Sequence, residues 1–234
     1  MPTVRQIETK LFEYAPLDLK MDWDNVGLLV GDPDQPVEKV LVALDITREV
    51  AREASQTGAQ LIVAHHPLNN CKWLPVQTVR SDTPQGGLLI ALLRGGISAI
   101  CMHTNLDAAA GGVNDALAAA LRLNDPGPLT QEGIGRVGTL SRPVPLEQFV
   151  AEVSQSLHCN GLRYADGGRI VHRVAVGGGA CGDFVGQAVA AGCDTFVTSD
   201  LGYHEIFDAR PKGIQLIVAW QFPTEAVVLP GVIG

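Results

Sequence analysis

VLVALDI at residues 40–46, LIVAHHP at 61–67 and ISAICMHTNLD at 97–107 repeat one pattern, an apolar β-branched run that ends in polar residues. None of the three runs alternates polar with apolar positions, the mark of strands covered on both faces. Between the first two, Thr47 is placed to cap a helix whose inner side carries Val50, Ala51 and Ala54, with Gly58 as its stop. Between the second and third, GLLIALLRGG (87–96) reads as a short apolar helix ended by two glycines. Strands alternating with helices indicate βαβ units and a largely parallel sheet. In such sheets ligands bind beyond the carboxyl ends of the strands, which is where the polar residues fall.

Working outward, Val4, Ile7 and Leu11 stand at helical spacing before Pro16, and Gly111-Gly112 opens a helix with Val113, Leu117 and Leu121 on one face. NDPGPLTQEGIG (124–135) concentrates Pro, Gly and Asn and makes the best internal boundary, giving a first half of residues 1–127 and a second of 128–234. In the second half Arg136–Leu140 reads as a strand, and a helix from Pro145 places Phe149, Val150 and Val153 on one face. RVAVGG (173–178), TFVTSD (195–200) and IQLIVA (214–219) echo the three runs of the first half. Any two βαβ units look alike at this level, so the echo is an expectation to be tested. The expected architecture is α/β: two similar βαβ-type halves packed together, with mixed, largely parallel sheets.

The chain has 234 residues, 46% hydrophobic and 18% charged, ordinary values for a globular protein that buries a core. A net charge of −8 argues against a nucleic-acid backbone or an anionic membrane as partner. The start MPTVRQIETK carries no secretory pattern, and runs such as LLIALL (88–93) are too short to span a bilayer. The five scattered cysteines, Cys71, Cys101, Cys159, Cys181 and Cys193, form no C-x-x-C pair and read as reduced, packed thiols. A cytoplasmic location is the expectation.

His65-His66 carries the sharpest chemical signal. Adjacent side chains on an extended backbone point to opposite sides and do not grip one ion; where the strand ends and turns into Pro67 they can each face a different metal or flank a shared centre, and otherwise they are two surface histidines. His103-x-x-x-Asp107 adds a third imidazole and a carboxylate after another buried strand. A carboxylate bridging two cations with imidazoles outside is common in two-metal hydrolytic sites. Imidazole suits zinc, iron, manganese or nickel, so the residues select a divalent transition metal without naming it. Asp24 and Asn25 are candidates to bind substrate, although loop residues bonding their own backbone would look the same. Asp200, His204 and Glu205 follow the strand TFVT and are candidate acid–base groups, with His103 and His204 the candidate proton carriers. Gly177-Gly178-Gly179-Ala180, between strand and helix, could hold an anion on its N–H groups.

With these motifs in order, WDNVGLLVGDP (23–33), LVALDIT (41–47), LIVAHHPL (61–68), HTNLDAAAGGVNDALA (103–118), GRVGTL (135–140), VAVGGGA (174–180) and TSDLGYHE (198–205), the chain resembles the NIF-three-like family (NGG-one interacting factor three), also called GTP cyclohydrolase I type 2 homologues. The resemblance implies the NIF-three-like α/β fold, a homohexameric ring or smaller assembly, and one or two metal ions per subunit in a dinuclear site. Carried over by position, the ligands are His65, His66 and Asp107, with more from a C-terminal motif usually reading Asp-x-Gly-His-x-x-Thr-Glu, whose strand would return Glu225 to the site. Here that motif reads VAWQFPTE (218–225): Glu225 is kept, while Val218, Trp220 and Gln221 stand for the Asp, Gly and His. Ser199 and Gly202 likewise stand for a usual Gly and Lys. Gln221 offers a neutral amide oxygen where an imidazole is usual. Two functions follow as expectations: a dinuclear-metal-dependent hydrolase acting on a nucleotide or similar small molecule, or a non-catalytic metal-binding regulator or carrier.

Overall fold

The computed structural model describes residues 1–68 and 78–233 and divides into two units, Met1–Ala109 and Ala110–Val232. The first unit runs α1 (Val4–Tyr14), β1 (Gly27–Val30), β2 (Val40–Ala43), α2 (Arg48–Thr57), β3 (Leu61–Ala64), α3 (Pro84–Gly95), β4 (Ser98–Cys101) and α4 (Thr104–Ala108). Local chemistry sets the helix ends. Thr3 accepts from the Gln6 backbone while the Gln6 side chain accepts from Thr3 N, a reciprocal cap on α1. Thr47 caps α2, and Gly58 ends it at φ 70°, a left-handed conformation that glycine adopts without strain. α3 begins a turn earlier than Gly87 because Thr83 accepts from Gly86 N and Pro84 suits the first helical position.

The sheet of this unit has the order β1-β4-β3-β2, with β2, β3 and β4 parallel and β1 antiparallel to β4. Ile62, Ala64 and Ala99 pack with Ala54, Leu89 and Leu92 in one buried cluster.

The second unit runs α5 (Val113–Ala120), β5 (Asn124–Pro128), β6 (Arg136–Val144), α6 (Leu146–Ser156), β7 (Arg163–Ala165), β8 (Val171–Val176), α7 (Val185–Ala190), β9 (Thr195–Thr198), α8 (Tyr203–Lys212), β10 (Gln215–Val218), α9 (Gln221–Glu225) and α10 (Leu229–Ile233). Its sheet has the order β5-β6-β8-β9-β10-β7; β8, β9 and β10 are parallel and the other pairs antiparallel. Leu117, Phe149 and Val153 cover Val174, Val176, Val197 and Ile217.

Each unit therefore holds a three-stranded parallel core joined by helices, β2-α2-β3-α3-β4 in one and β8-α7-β9-α8-β10 in the other, as the sequence echo predicts. The proposed boundary at 127/128 falls inside β5. That Pro- and Gly-rich stretch is an edge strand paired irregularly with β6, where a missing donor is tolerated, and the compact units divide earlier, after Ala109. Among the described residues, no helix is long and apolar enough to cross a membrane. Cys101, Cys181 and Cys193 are buried thiols and Cys159 is a half-buried one, with no disulfide among the described residues; Cys71 lies outside the described residues. Burial pushes the Cys193 thiol up to about 11, which keeps it protonated and inert.

Two glycines separate backbone strain from steric overlap. Gly31 has φ 116° and its added Cβ would lie 2.7 Å from Ser98 Cα, whereas Gly58 faces open space. Gly31→Ala should cost about 3 kcal/mol or more and Gly58→Ala about 1–2 kcal/mol. Urea unfolding midpoints check this, and equal losses would show that Ser98 does not crowd Gly31.

Candidate metal centre

The parallel register aligns Ala43 with Ala64 and Ala64 with Cys101. Continued past the strand ends, it sets His65 beside Met102, and Asp45, His66 and His103 abreast. The contacts agree: His66 N donates to Leu44 O at 2.9 Å and Met102 N to Ala64 O at 2.8 Å. There the backbone leaves the extended conformation, so both adjacent histidines turn to one side. His65, His66 and His103 bring candidate ligand nitrogens within 4.8 Å of one another. Their ring centroids lie 5.0, 5.2 and 5.7 Å apart.

Each imidazole has its Nδ1 against an acceptor. His65 Nδ1 is 2.8 Å from Met102 O, His66 Nδ1 is 2.8 Å from Asp45 Oδ1, and His103 Nδ1 is 2.9 Å from Asp24 Oδ1. A carbonyl or carboxylate has no proton to offer, so each Nδ1 carries a hydrogen, and in the neutral ring the lone pair then sits on Nε2. Such outer partners fix tautomer and ring orientation in histidine metal sites. Asp107 joins the group on the single turn of α4, one turn after His103, with its N–H on His103 O at 3.0 Å. Its Oδ1 is 3.6 Å from His65 Nε2. His65 and His103 are buried, while His66 is half-buried and forms the open edge.

Asp24, expected as a substrate contact, is buried and serves the histidines instead. Its Oδ2 accepts from Thr104 N at 3.1 Å and from Thr104 Oγ1 at 2.5 Å. Burial works to raise its pKa, but the hydrogen bond and charge of His103, with the Thr104 donors, outweigh it and hold the carboxyl at about 2. Asn25 N also donates to Asp24 Oδ1, at 2.8 Å. His103, read as a proton carrier, stands inside the nitrogen cluster. Asp45 was not singled out at all; the signal available was that it stands as far past LVA (41–43) as His66 does past IVA (62–64).

The remaining candidates belong to the second unit. Glu225 is buried, and Gln221 Nε2 donates to its Oε1 at 3.0 Å. A Cβ at Gly179 would run into that same oxygen, so the glycine permits a close approach. The triple glycine does not present free donors: Gly178 N is bonded to Asn114 Oδ1 and Gly179 N to Thr224 Oγ1. His204 is exposed on α8 with its ring edge against Tyr203 at 5.4 Å, and Asp200 accepts from Ser199 Oγ at 3.4 Å. Trp220 has φ 67° and ψ 158°, a region that costs a side chain about 1–3 kcal/mol and belongs almost wholly to glycine.

The profile of the family Duf34/NIF3 (NGG1p interacting factor 3) matches residues 2–233. A Clostridium perfringens protein named GTP cyclohydrolase 1 type 2 homolog is 37% identical over 93% of this chain and 84% of its own length. A Streptomyces coelicolor protein of the same name is 36% identical over 96% and 82%. Among solved structures, a Bacillus cereus protein related to NIF3 superposes with a TM-score of 0.92 at 25% identity, covering 99% of this chain and 91% of that one.

Asp24 supplies a pH test. Its pKa in the folded chain lies below the ordinary value of 3.8, so its stabilising effect is full above pH 4 and lost as pH falls through 2. The difference is worth about 2 kcal/mol. In metal-free protein the stability gap between wild type and Asp24→Asn should therefore close between pH 4 and 2, as read by urea midpoints. The same substitution should weaken metal binding about 10–100-fold. A gap that stays constant down to pH 2 would contradict the His103–Asp24 pairing.

Proposed function

The chain belongs to the Duf34/NIF3 family, and from that membership we propose that it is a metal-dependent hydrolase acting on a nucleotide or similar small molecule. The observation that carries the reading is the grouping of three histidines whose candidate ligand atoms lie within 4.8 Å of one another, each with Nδ1 against an acceptor, and with Asp107 Oδ1 3.6 Å from His65 Nε2. Three imidazoles and one carboxylate fit a divalent transition ion such as zinc, iron, manganese or nickel. His65, His66, His103 and Asp107 would hold it, and when bound the ion supplies Lewis acidity for hydrolysis.

The protein's own groups do the rest. Asp24, Asp45 and the Met102 carbonyl keep the imidazoles in the binding tautomer. Burial of His65 and His103 keeps water from the back of the cluster, and His66 leaves one side open to substrate. The name carried by the relatives favours a nucleotide-like substrate, and Glu225 is proposed as a further ligand from the resemblance. Self-association, as a hexameric ring, belongs to the same proposal, and light scattering of a monomer at micromolar concentration would refute it.

A second reading, a non-catalytic metal-binding regulator or carrier, draws support from Gln221, whose amide hydrogen-bonds the carboxylate that the resemblance assigns to the metal. Metal content per subunit and a nucleotide-hydrolysis screen separate the two. His65→Ala with His66→Ala should remove most of the metal and the visible ligand-field bands of the cobalt-loaded protein, with the fold intact by circular dichroism. Gln221→His, alone or with Trp220→Gly, should raise metal stoichiometry. Unchanged metal in the double histidine variant would sink the site, and metal without hydrolysis of any nucleotide would favour the carrier.

A further inference from the structure

Between α2 and α3 the first unit carries a cationic groove. Its volume is about 510 Å³, Arg48 and Arg52 of α2 and Arg94 of α3 line it, and among the described residues no carboxylate does. The whole chain carries 25 acidic against 17 basic residues, so three guanidiniums sharing one groove run against composition. Among the described residues none of the three forms an ion pair, while the neighbouring Arg80 is taken by Asp82. Glu49 lies between two of them in sequence. Its carboxyl is held low first by the backbone and Thr47 at the helix cap, and Arg52 and Arg48 act on it only through space.

The placement is also costly to the fold. Arg48 is the first residue of α2, where the helix dipole opposes a cation, and Arg52 stands one turn on, where like charges repel. The groove accommodates Arg48 specifically: a Cβ at Gly87 would come within 3.3 Å of its Nη2, so the absent side chain leaves room for the guanidinium over the first turn of α3. The floor is apolar, with Ala51, Leu88 and Ile97 buried beneath the charged rim. Volume, floor and rim match a small-molecule pocket, apolar with a few converging polar groups. Guanidinium forks suit the paired oxygens of phosphate or carboxylate.

We propose that the α2–α3 groove binds a small multivalent oxyanion of phosphate type that carries an apolar body. The rim neutralises the oxyanion and the floor receives the body. This site shares no residue with the histidine cluster, and it stands whether or not the hydrolase reading does.

Phenyl phosphate and inorganic phosphate serve as probes of the full-length protein, by calorimetry and by amide shift changes in NMR. Phenyl phosphate should bind saturably and more tightly than inorganic phosphate, with the largest shifts at Ser55, Gly87 and Gly95. Arg52→Gln with Arg94→Gln should weaken it at least tenfold without lowering the thermal midpoint, since each charge-assisted bond is worth about that factor. His65→Ala with His66→Ala should leave it unchanged. Three results would each overturn the proposal: no saturable binding of phenyl phosphate up to about 10 mM, far weaker than the about 1 mM of a loose complex; binding that survives loss of both arginines; or binding lost with the histidines, which would place the anion at the metal centre. Equal affinity for the two probes would overturn the part played by the apolar floor.

Discussion

Parallel pairing of β2, β3 and β4 in a single register is the constraint on which the candidate centre rests. Because Ala43, Ala64 and Cys101 lie side by side, the residues two steps further on, Asp45, His66 and His103, must also lie side by side. A slip of one residue in either pairing would send alternate side chains to opposite faces and scatter the group. Register here is held by burial, since all four residues of β3 and of β4 are buried and any slip exposes a run of them. The Cys101 thiol adds a local tie, donating to His65 O at 3.0 Å just where the chain turns. The hydrophobic core of the unit thus does chemical positioning, and the imidazoles inherit their places from aliphatic packing.

Placement alone would leave the rings free to rotate, and the acceptors behind them prevent that. The three acceptors differ in kind: a backbone carbonyl for His65, an exposed carboxylate for His66 and a buried carboxylate for His103. The buried one is the most tightly bound, since Thr104 satisfies its second oxygen and His103 is itself buried. A buried carboxylate without such partners would neutralise itself by taking up a proton. Here it remains ionised far into acid, which keeps a hydrogen on His103 Nδ1. His66 is held by a pair open to water, which contributes less. Two imidazoles are fixed firmly and one can adjust, and the adjustable one is at the open edge where a ligand would enter.

Much of this was legible in the chain itself, and the exceptions have physical reasons. Unbroken apolar runs announce parallel strands, so β3, β4, β9 and β10 were readable, as was the doubling of the unit. The strand β2 was readable too, but as the edge strand of its sheet it is half-buried with Val40 exposed, and is not covered on both faces as its run suggests. Helix ends followed from Thr47, Gly58 and Pro145. β5 was not readable, because Pro126 and Gly127 carry the composition of a loop and only the pairing with β6 makes them a strand. β7, three residues at the sheet edge, offers too short a pattern. His65, His66 and Asp107 were visible as types at strand ends, but the grouping of His103 with them depends on sheet register. Asp24 meets His103 across a separation of 79 residues, and no local spacing records such a contact. Asp45 looks like any polar residue that ends a strand until its neighbour strand is known.

The C-terminal stretch departs from the motif that the resemblance implies in a way the geometry renders coherent. At Trp220 the backbone takes a conformation suited to glycine, in keeping with the glycine that the resemblance implies there, and the ring holds its place by donating Nε1–H to Gly161 O at 2.8 Å and lying 5.3 Å beneath the Arg163 guanidinium. These contacts offset strain of about 1–3 kcal/mol, since a hydrogen bond and a cation–π contact each contribute about 1 kcal/mol. One residue on, Gln221 directs its amide N–H at Glu225. A buried carboxylate needs a counterpart, and an amide donor supplies a partial one where an imidazole with a cation would supply a full one. Any cation approaching that oxygen must first displace the amide. Trp220 and Gln221 therefore act together: one fixes the end of β10 with the protein's own ring, and the other gives Glu225 Oε1 a hydrogen from the protein itself.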